Sequence, residues 1–379
     1  MEKKRHHILK GNISKWDLDT PALLLDMDVF EANLKKLSEY CRKNDTAFRP
    51  HIKTHKCPII SKKQISSGAL GICAAKTSEA EVMADSGIRN ILITSPVITP
   101  YKIKRLMGIR KNTSGLMVVV DNVKNVTDLS EAAKRDNLKL DVLVDINPGE
   151  DRTGVKPGKP VVDLAKNILK SDGLGFRGIQ FYAGHMQQIH GFHERRKRNM
   201  ECMEKAVESK RLLEKEGIHV GIFTGGGTGT YNIDHNVPGF TDVQSGSYIF
   251  MDVEYLAIGG KDSPEKLYED FAPSLTVLST AISQPVKGKI TVDAGKKAFA
   301  TDGPNPVLKG ISGIPYEFMG DEYGGLTFEN PSREIKIGDK VEFLVSHCDP
   351  TVNLYDHYHC IRNEIVEDIW EISGRGMSQ

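Results

Sequence analysis

The run Arg49-Pro-His-Ile-Lys-Thr-His-Lys56 sets Lys53 between two histidines, with a second lysine just beyond. Neighbouring cationic groups and partial burial disfavour the ammonium form, and a free amine is a nucleophile able to form a Schiff base. Taken alone, the run reads at least as well as a solvated basic loop. Two glycine-rich stretches bear on the choice. In Thr224-Gly-Gly-Gly-Thr-Gly-Thr230, backbone N–H groups without Cβ neighbours can close around an anion, with threonine hydroxyls adding hydrogen bonds. That offers Thr224, Gly226, Gly227 and Thr228 to a phosphate, and Gln244-Ser-Gly-Ser-Tyr248 offers Gly246, Ser247 and Tyr248. A flexible turn explains either stretch singly. A phosphate together with a reactive lysine suggests pyridoxal 5′-phosphate.

The elements that must hold these residues follow from hydrophobic period. From about residue 46 the chain alternates short β-branched runs with helical patterns, the signature of βα units around a parallel sheet. Eight strands are expected, at 47–53, 71–75, 90–94, 115–121, 138–147, 176–182, 219–224 and 241–250. Helices are expected between them, such as 77–86, opening on a Thr-Ser cap, and 193–215. Eight such units over a little more than 200 residues approach the length of a TIM (β/α)8 barrel, with an open doubly wound sheet as the competitor. On the barrel reading Lys53 ends the first strand, and the two glycine stretches follow the seventh and eighth, where barrels frequently bind phosphate. After about residue 268 helical periodicity gives way to Thr/Val/Ile alternation with turns. The α/β chain therefore divides into an N-terminal segment 1–27, a barrel 28–267 and a mainly β domain 268–379, with a strand at 22–26 joining the β part.

The motifs RPHIKTHK, DTPALLLD (19–26), TGGGTGT, QSGSY, VDAGKKA and HCDPTVNLYD together resemble the D-threonine aldolase and eukaryotic-type D-serine dehydratase family, within the alanine racemase-like, fold-type III enzymes. The resemblance runs from Asp19 to Gly374. It implies a barrel that binds pyridoxal phosphate, a C-terminal β domain, a homodimer, and Lys53 as the lysine that carries the cofactor. It also matches Arg152, in the stretch after the fifth barrel strand, to a cofactor-contacting arginine, and Tyr182 to a tyrosine that packs on the cofactor. Their plain alternatives are a salt bridge to Glu150 or Asp151 and a core aromatic.

Strand alternation over 341–349 would place His347 and Asp349 on one face, with Cys348 on the other. An imidazole and a carboxylate so placed, completed by water, suit a divalent ion such as Mn²⁺, Mg²⁺ or Zn²⁺. An edge-strand histidine and a turn aspartate before Pro350 are the alternative. The resemblance implies the metal, and it implies a chemistry: the family's aldolases carry His-x-Asp, whereas its D-serine dehydratases carry His-x-Cys with zinc.

Two departures from the family pattern concern the substrate. Where aldolases read Tyr-His-Gly-x-x-Gln-His, this chain reads Tyr182-Ala-Gly-His-Met-Gln-Gln188, and an amide cannot take a proton. Either His185 assumes that role, or the metal does, or the substrate differs. The stretch 321–324 likewise reads Asp-Glu-Tyr-Gly where relatives often have Glu-Glu-His-Gly. The expected activity is cleavage of a D-3-hydroxy amino acid to glycine and an aldehyde. Alternatives are β-elimination by a D-serine or 3-hydroxy-D-aspartate dehydratase and a non-catalytic pyridoxal phosphate carrier.

Composition narrows the partners. Lys+Arg 51 against Asp+Glu 50 gives a net charge of +1 over 379 residues, which disfavours a nucleic-acid or anionic-membrane partner and leaves a small molecule. The start MEKKRHHILK carries no apolar leader-like run, and no later run approaches a membrane span, so a cytoplasmic location is expected. Six cysteines without a C-x-x-C pair, in a chain this long, are expected to be reduced.

Overall fold

The computed structural model describes residues 13–262 and 267–379; the first part of the expected N-terminal segment 1–27 lies outside the described residues. Two compact units result, and neither is continuous in sequence. One comprises Lys36–Gly246, Ile258–Lys266 and Gly376–Gln379, the other Met1–Lys35, Ser247–Ala257 and Leu267–Arg375.

The first unit is the expected parallel barrel. Its strands are β2 (Ala47–Phe48), β3 (Ile72–Ala74), β4 (Ile91–Ile93), β5 (Met117–Val120), β6 (Leu140–Asp145), β7 (Leu174–Phe181), β8 (Ile222–Gly225) and β9 (Asp242–Val243). They are hydrogen-bonded in the order β2-β9-β8-β7-β6-β5-β4-β3, every described pairing being parallel. A parallel bridge from His51 to Cys73 brings the chain after β2 against β3 and closes the ring. Runs such as Met-Val-Val-Val in β5 are buried at every position, as strands of a parallel sheet covered on both faces must be.

The outer helices are α2 (Pro58–Ser66), α3 (Thr77–Asp85), α4 (Pro100–Asn112), α5 (Val123–Arg135), α6 (Lys159–Leu169), α7 (Phe192–Lys215) and the short α8 (Tyr231–Asp234). Their starts have visible causes. Thr99 Oγ1 accepts from Lys102 N ahead of Pro100 in α4, and Asn122 Oδ1 accepts from Asn125 N in α5. The helix at 77–85 is capped otherwise than its Thr-Ser opening suggests: buried Glu79 reaches back to accept from Ala75 N and Lys76 N.

A polar layer crosses the barrel. Arg49 Nε lies 3.3 Å from Asp242 Oδ1, which accepts from Thr224 Oγ1 at 2.8 Å. Gln244 Nε2 donates to Thr224 Oγ1 and to Gln180 Oε1, and Gln180 Nε2 donates to Asp145 Oδ1 at 2.9 Å. Each link matters because a buried polar group left unpaired costs about 1–3 kcal/mol.

The second unit is built on a nine-stranded sheet of β1 (Ala22–Asp26), β10 (Leu275–Val286), β11 (Lys289–Val292), β12 (Val307–Leu308), β13 (Tyr316–Phe318), β14 (Gly324–Thr327), β15 (Lys340–Leu344), β16 (His357–Arg362) and β17 (Ile365–Glu371). β1 pairs antiparallel with β10 and parallel with β16; the other described pairings are antiparallel. Leu18, Ala22, Leu24, Leu278, Ile361 and Val366 form one buried cluster on it. Helix α1 (Met27–Lys43) leaves the sheet, and α9 (Val253–Leu256) and α10 (Cys348–Val352) are single turns. Among the described residues, no helix is long and apolar enough to cross a membrane.

Candidate active site

Lys53 occupies a turn that the barrel itself sets. Cys73 N donates to Pro50 O and Ile52 N to Cys73 O, pinning the chain on either side of His51 against β3. Three residues later the chain folds back, with Lys56 N donating to Ile52 O. Lys53 is half-buried at the C-terminal end of this first barrel strand, the end where barrel enzymes work.

The groups expected to crowd Lys53 with charge hold bonds of their own. His51 Nδ1 accepts from Lys53 N and its Nε2 meets Thr94 Oγ1 at 3.0 Å; His55 Nδ1 accepts from Cys57 N and its Nε2 meets Gln64 Oε1 at 3.2 Å. These bonds hold both rings in place as struts of the turn. Lys56 is spoken for by Glu79, 3.2 Å from its Nζ. The histidines thus position the lysine.

The glycine stretch after β8 is held from beneath by protein groups. Gln187 Oε1 accepts from Gly229 N at 3.1 Å, and Gln187 Nε2 donates to Thr230 Oγ1 at 3.0 Å and to Ala183 O. Thr230 Oγ1 donates to Asp234 Oδ2 at 2.6 Å, and Asn199 Nδ2 donates to Asp234 Oδ1. A Cβ at Gly226 would collide with Asp234, one at Gly227 with Gln187, and one at Gly229 with the Gln187 carbonyl. Arg195, fully buried on α7, donates to the carbonyls of Gly229, Ile189, Ile258 and Gly259 at 2.7–2.8 Å. Part of the glycine requirement therefore comes from close packing. Thr224, expected beside phosphate, commits its hydroxyl to Asp242 in the polar layer, and of the expected set Gly226, Gly227 and Thr228 belong to the loop itself.

Gly246 ends the barrel unit beside the lysine turn: a Cβ there would strike Thr54 Oγ1 and close on His51 O. Thr54 Oγ1 and Ser245 Oγ are buried without a hydrogen-bond partner. Ser247 and Tyr248 fall in the other unit, where Tyr248 is fully buried with its ring edge on Phe271, a centroid distance of 5.5 Å.

Arg152 and Tyr182 come together. The Arg152 guanidinium lies over the Tyr182 ring at 5.3 Å, and its Nη2 is 3.9 Å from Glu150 Oε2. Behind them, burial pushes the Asp145 carboxyl up to about 6, against the hydrogen bonds from Gln180 and Thr153 that favour its charge. His185 is exposed on the turn after β7, and so is Gln188.

In the second unit the strand alternation proposed for His347 and Asp349 is not what the chain does. β15 ends at Leu344; His347 is the N-cap residue of α10 and Asp349 sits in its first turn, with Pro350 following where no N–H is needed. The two groups are still electrostatic neighbours. Burial pushes the His347 imidazole down, but Asp349, Asp252 and Asp302 outweigh it and hold the ring above its usual value. His347 Nδ1 is 2.9 Å from Asp302 Oδ2, Asp252 Oδ2 accepts from Cys348 N, and Cys348 is fully buried. Among the described residues, no three His, Cys, Asp or Glu side chains converge as a ligand set.

Sequence reasoning missed Gln187, Arg195, Thr54, Glu79 and Asp302. Gln187 had a signal, standing beside the Gln188 substitution. Arg195, Glu79 and Asp302 had none, since their partners are backbone groups or a side chain distant in sequence, and Thr54 stands out only by a hydroxyl left without a partner.

A pyridoxal phosphate fits the first site: a lysine at the working end of a barrel strand, glycines beside it, two orphaned hydroxyls and a stacked Arg152–Tyr182 pair. A divalent cation fits the donor chemistry of the second, one imidazole in an excess of carboxylates, with water needed to complete its shell.

Residues 25–254 match the alanine racemase N-terminal domain, and residues 274–361 a putative serine dehydratase domain. A D-threonine aldolase from Arthrobacter sp. is 37% identical over 96% of this chain and 94% of its own. A 3-hydroxy-D-aspartate aldolase from Paracoccus denitrificans (strain Pd 1222) is 35% identical over 95% and 93%. The crystal structure of a D-threonine aldolase from Filomicrobium marinum superposes with a TM-score of 0.93 at 35% identity, covering 98% of this chain and 100% of that one. Dehydratase relatives are more distant.

Proposed function

The chain belongs to the alanine racemase-like proteins that include the D-threonine and 3-hydroxy-D-aspartate aldolases, and on that premise we propose that it is a metal-assisted, pyridoxal phosphate-dependent lyase. It splits a D-3-hydroxy amino acid into glycine and an aldehyde. The observation that carries this is the placement of Lys53 in the turn that follows the barrel-closing bridge from His51 to Cys73.

Bound at Lys53, pyridoxal phosphate supplies the electron sink for the pair released when Cα–Cβ breaks. The protein's part is position and proton traffic. His51 and His55, fixed by backbone donors, hold the lysine turn in one shape. The loop at Gly226, Gly227 and Thr228, with Gly246, would receive the phosphate; Thr224 supports that loop from the barrel layer. Arg152, held over Tyr182, orients the ring of the cofactor. Loss of the β-hydroxyl proton starts the cleavage, and His185 on the β7 loop is a group able to take it, whereas Gln188 is not. His347 and Asp349 would hold a divalent ion, whose chemistry there would be that of a Lewis acid toward an oxygen ligand. A cytoplasmic homodimer is the setting that goes with this reading.

The test separates products. Full-length enzyme loaded with cofactor is incubated with D-threonine, D-serine and D-3-hydroxyaspartate, with and without EDTA. Glycine plus aldehyde, lost with EDTA, is expected; a 2-oxo acid plus ammonia alone would make the chain a dehydratase. Lys53→Ala should lose both the cofactor absorbance and the activity.

A further inference from the structure

We infer that Asp302 is the positioning residue that turns His347 into a metal ligand; this rests on the metal reading above. The side chains lie 45 residues apart in sequence, with Asp302 Oδ2 2.9 Å from His347 Nδ1. A surface ion pair of this kind, with Asp302 54% exposed, ordinarily contributes little. Three observations separate it from that background.

The first is a shared frame. Ser346 Oγ donates to Ala300 O at 2.7 Å, and Ala300 N donates to Thr351 Oγ1 at 3.0 Å. Thr351 Oγ1 in turn donates to His347 O at 2.7 Å. The chain carrying Asp302 is thereby stitched to both sides of His347, so the carboxylate is delivered by backbone. The second is which ring nitrogen is used. Asp302 takes Nδ1–H, which leaves the Nε2 lone pair for a cation. A ligating histidine gives its other N–H to a carboxylate in this way, which fixes its tautomer and ring orientation and strengthens it as a donor. The third is where the remaining carboxylates are spent. Asp252 accepts from Cys348 N and from Tyr255 N, which ties the start of α10 to the start of α9, while Asp302 is hydrogen-bonded to the imidazole.

The test is Mn²⁺ titration of the cofactor-loaded full chain, with free ion read by electron paramagnetic resonance. Wild type, Asp302→Ala, Asp302→Asn and His347→Ala are compared, each with its melting midpoint in EDTA. Asp302→Ala should raise the Mn²⁺ Kd by about 10- to 100-fold, the usual cost of losing an outer-shell partner. Asp302→Asn should recover part of that, because its amide oxygen still accepts from Nδ1–H. The EDTA midpoints of both should stay at the wild-type value. An Asp302→Ala protein that binds Mn²⁺ as wild type does, while His347→Ala does not bind, overturns the role of Asp302 and leaves the metal reading standing. A wild type with no site that His347→Ala removes overturns both.

Discussion

Asp145 shows what a single buried carboxyl does to this barrel. It is 3% exposed and is pushed up to about 6 by burial, from an ordinary value of 3.8. A carboxyl raised on folding is penalised when it ionises. The penalty is absent below the unfolded value, grows as pH rises from about 4 to 6, and is complete above that, at roughly 3 kcal/mol. In Asp145→Asn the amide oxygen can still accept from Gln180, and the amide N–H₂ can donate to the Thr153 hydroxyl. Urea unfolding across pH should therefore show the variant gaining about 2–3 kcal/mol on the wild type between pH 4 and pH 7; parallel curves would mean that Asp145 does not carry the cost. At this scale the sequence announced Lys53, Arg152 and Tyr182 because their types and neighbours suffice. It could not announce Arg195, whose role consists of bonds to backbone carbonyls such as that of Gly229.

Elements explain why the glycine loop tolerates little. Gly226 has φ +63 and its missing Cβ leaves room for Asp234, whereas Gly217, at the end of α7 with φ +74, faces open space. Alanine at either position meets the left-handed penalty of about 1–2 kcal/mol; at Gly226 it must also displace a buried carboxyl held by Thr230 and Asn199. Gly226→Ala should lower the melting midpoint by at least twice as much as Gly217→Ala, and equal shifts would mean that the loop yields freely. The eight barrel strands were legible because buried β-branched runs between helical periods leave few other readings. The alternation after β15 misled for a local reason. Ser346 bonds to Ala300 and Val345 to Val253, the strand stops, and the His-Cys-Asp-Pro run starts a helical turn. The Pro at 350 was the available sign, because Pro is at home in the first turn of a helix and foreign to a continuing strand.

For the molecule as a whole, Lys53, Arg152 and Tyr182, proposed to hold the cofactor, belong to the barrel unit, and His347, Asp349 and Asp302, proposed for the metal, to the unit with the nine-stranded sheet. Each ligand should then stabilise chiefly the unit that holds it. A ligand at 100 times its Kd stabilises the state that binds it by about 2.7 kcal/mol, which slows hydrogen exchange roughly a hundredfold for amides that open only when that unit unfolds. Pyridoxal phosphate added to apoprotein in EDTA should slow exchange in peptides from β5, β6 and β7. Mn²⁺ added without cofactor should slow it in β10, β15 and β16. Equal slowing of both sets by either ligand would show that the units open as one, and a Mn²⁺ effect confined to the barrel peptides would move the metal away from His347. The chain crosses between units at Gly246–Ser247, inside the stretch expected to hold phosphate. Peptides on the Gly246 side of that crossing should respond to the cofactor, and no response there would remove Gly246 from the phosphate site.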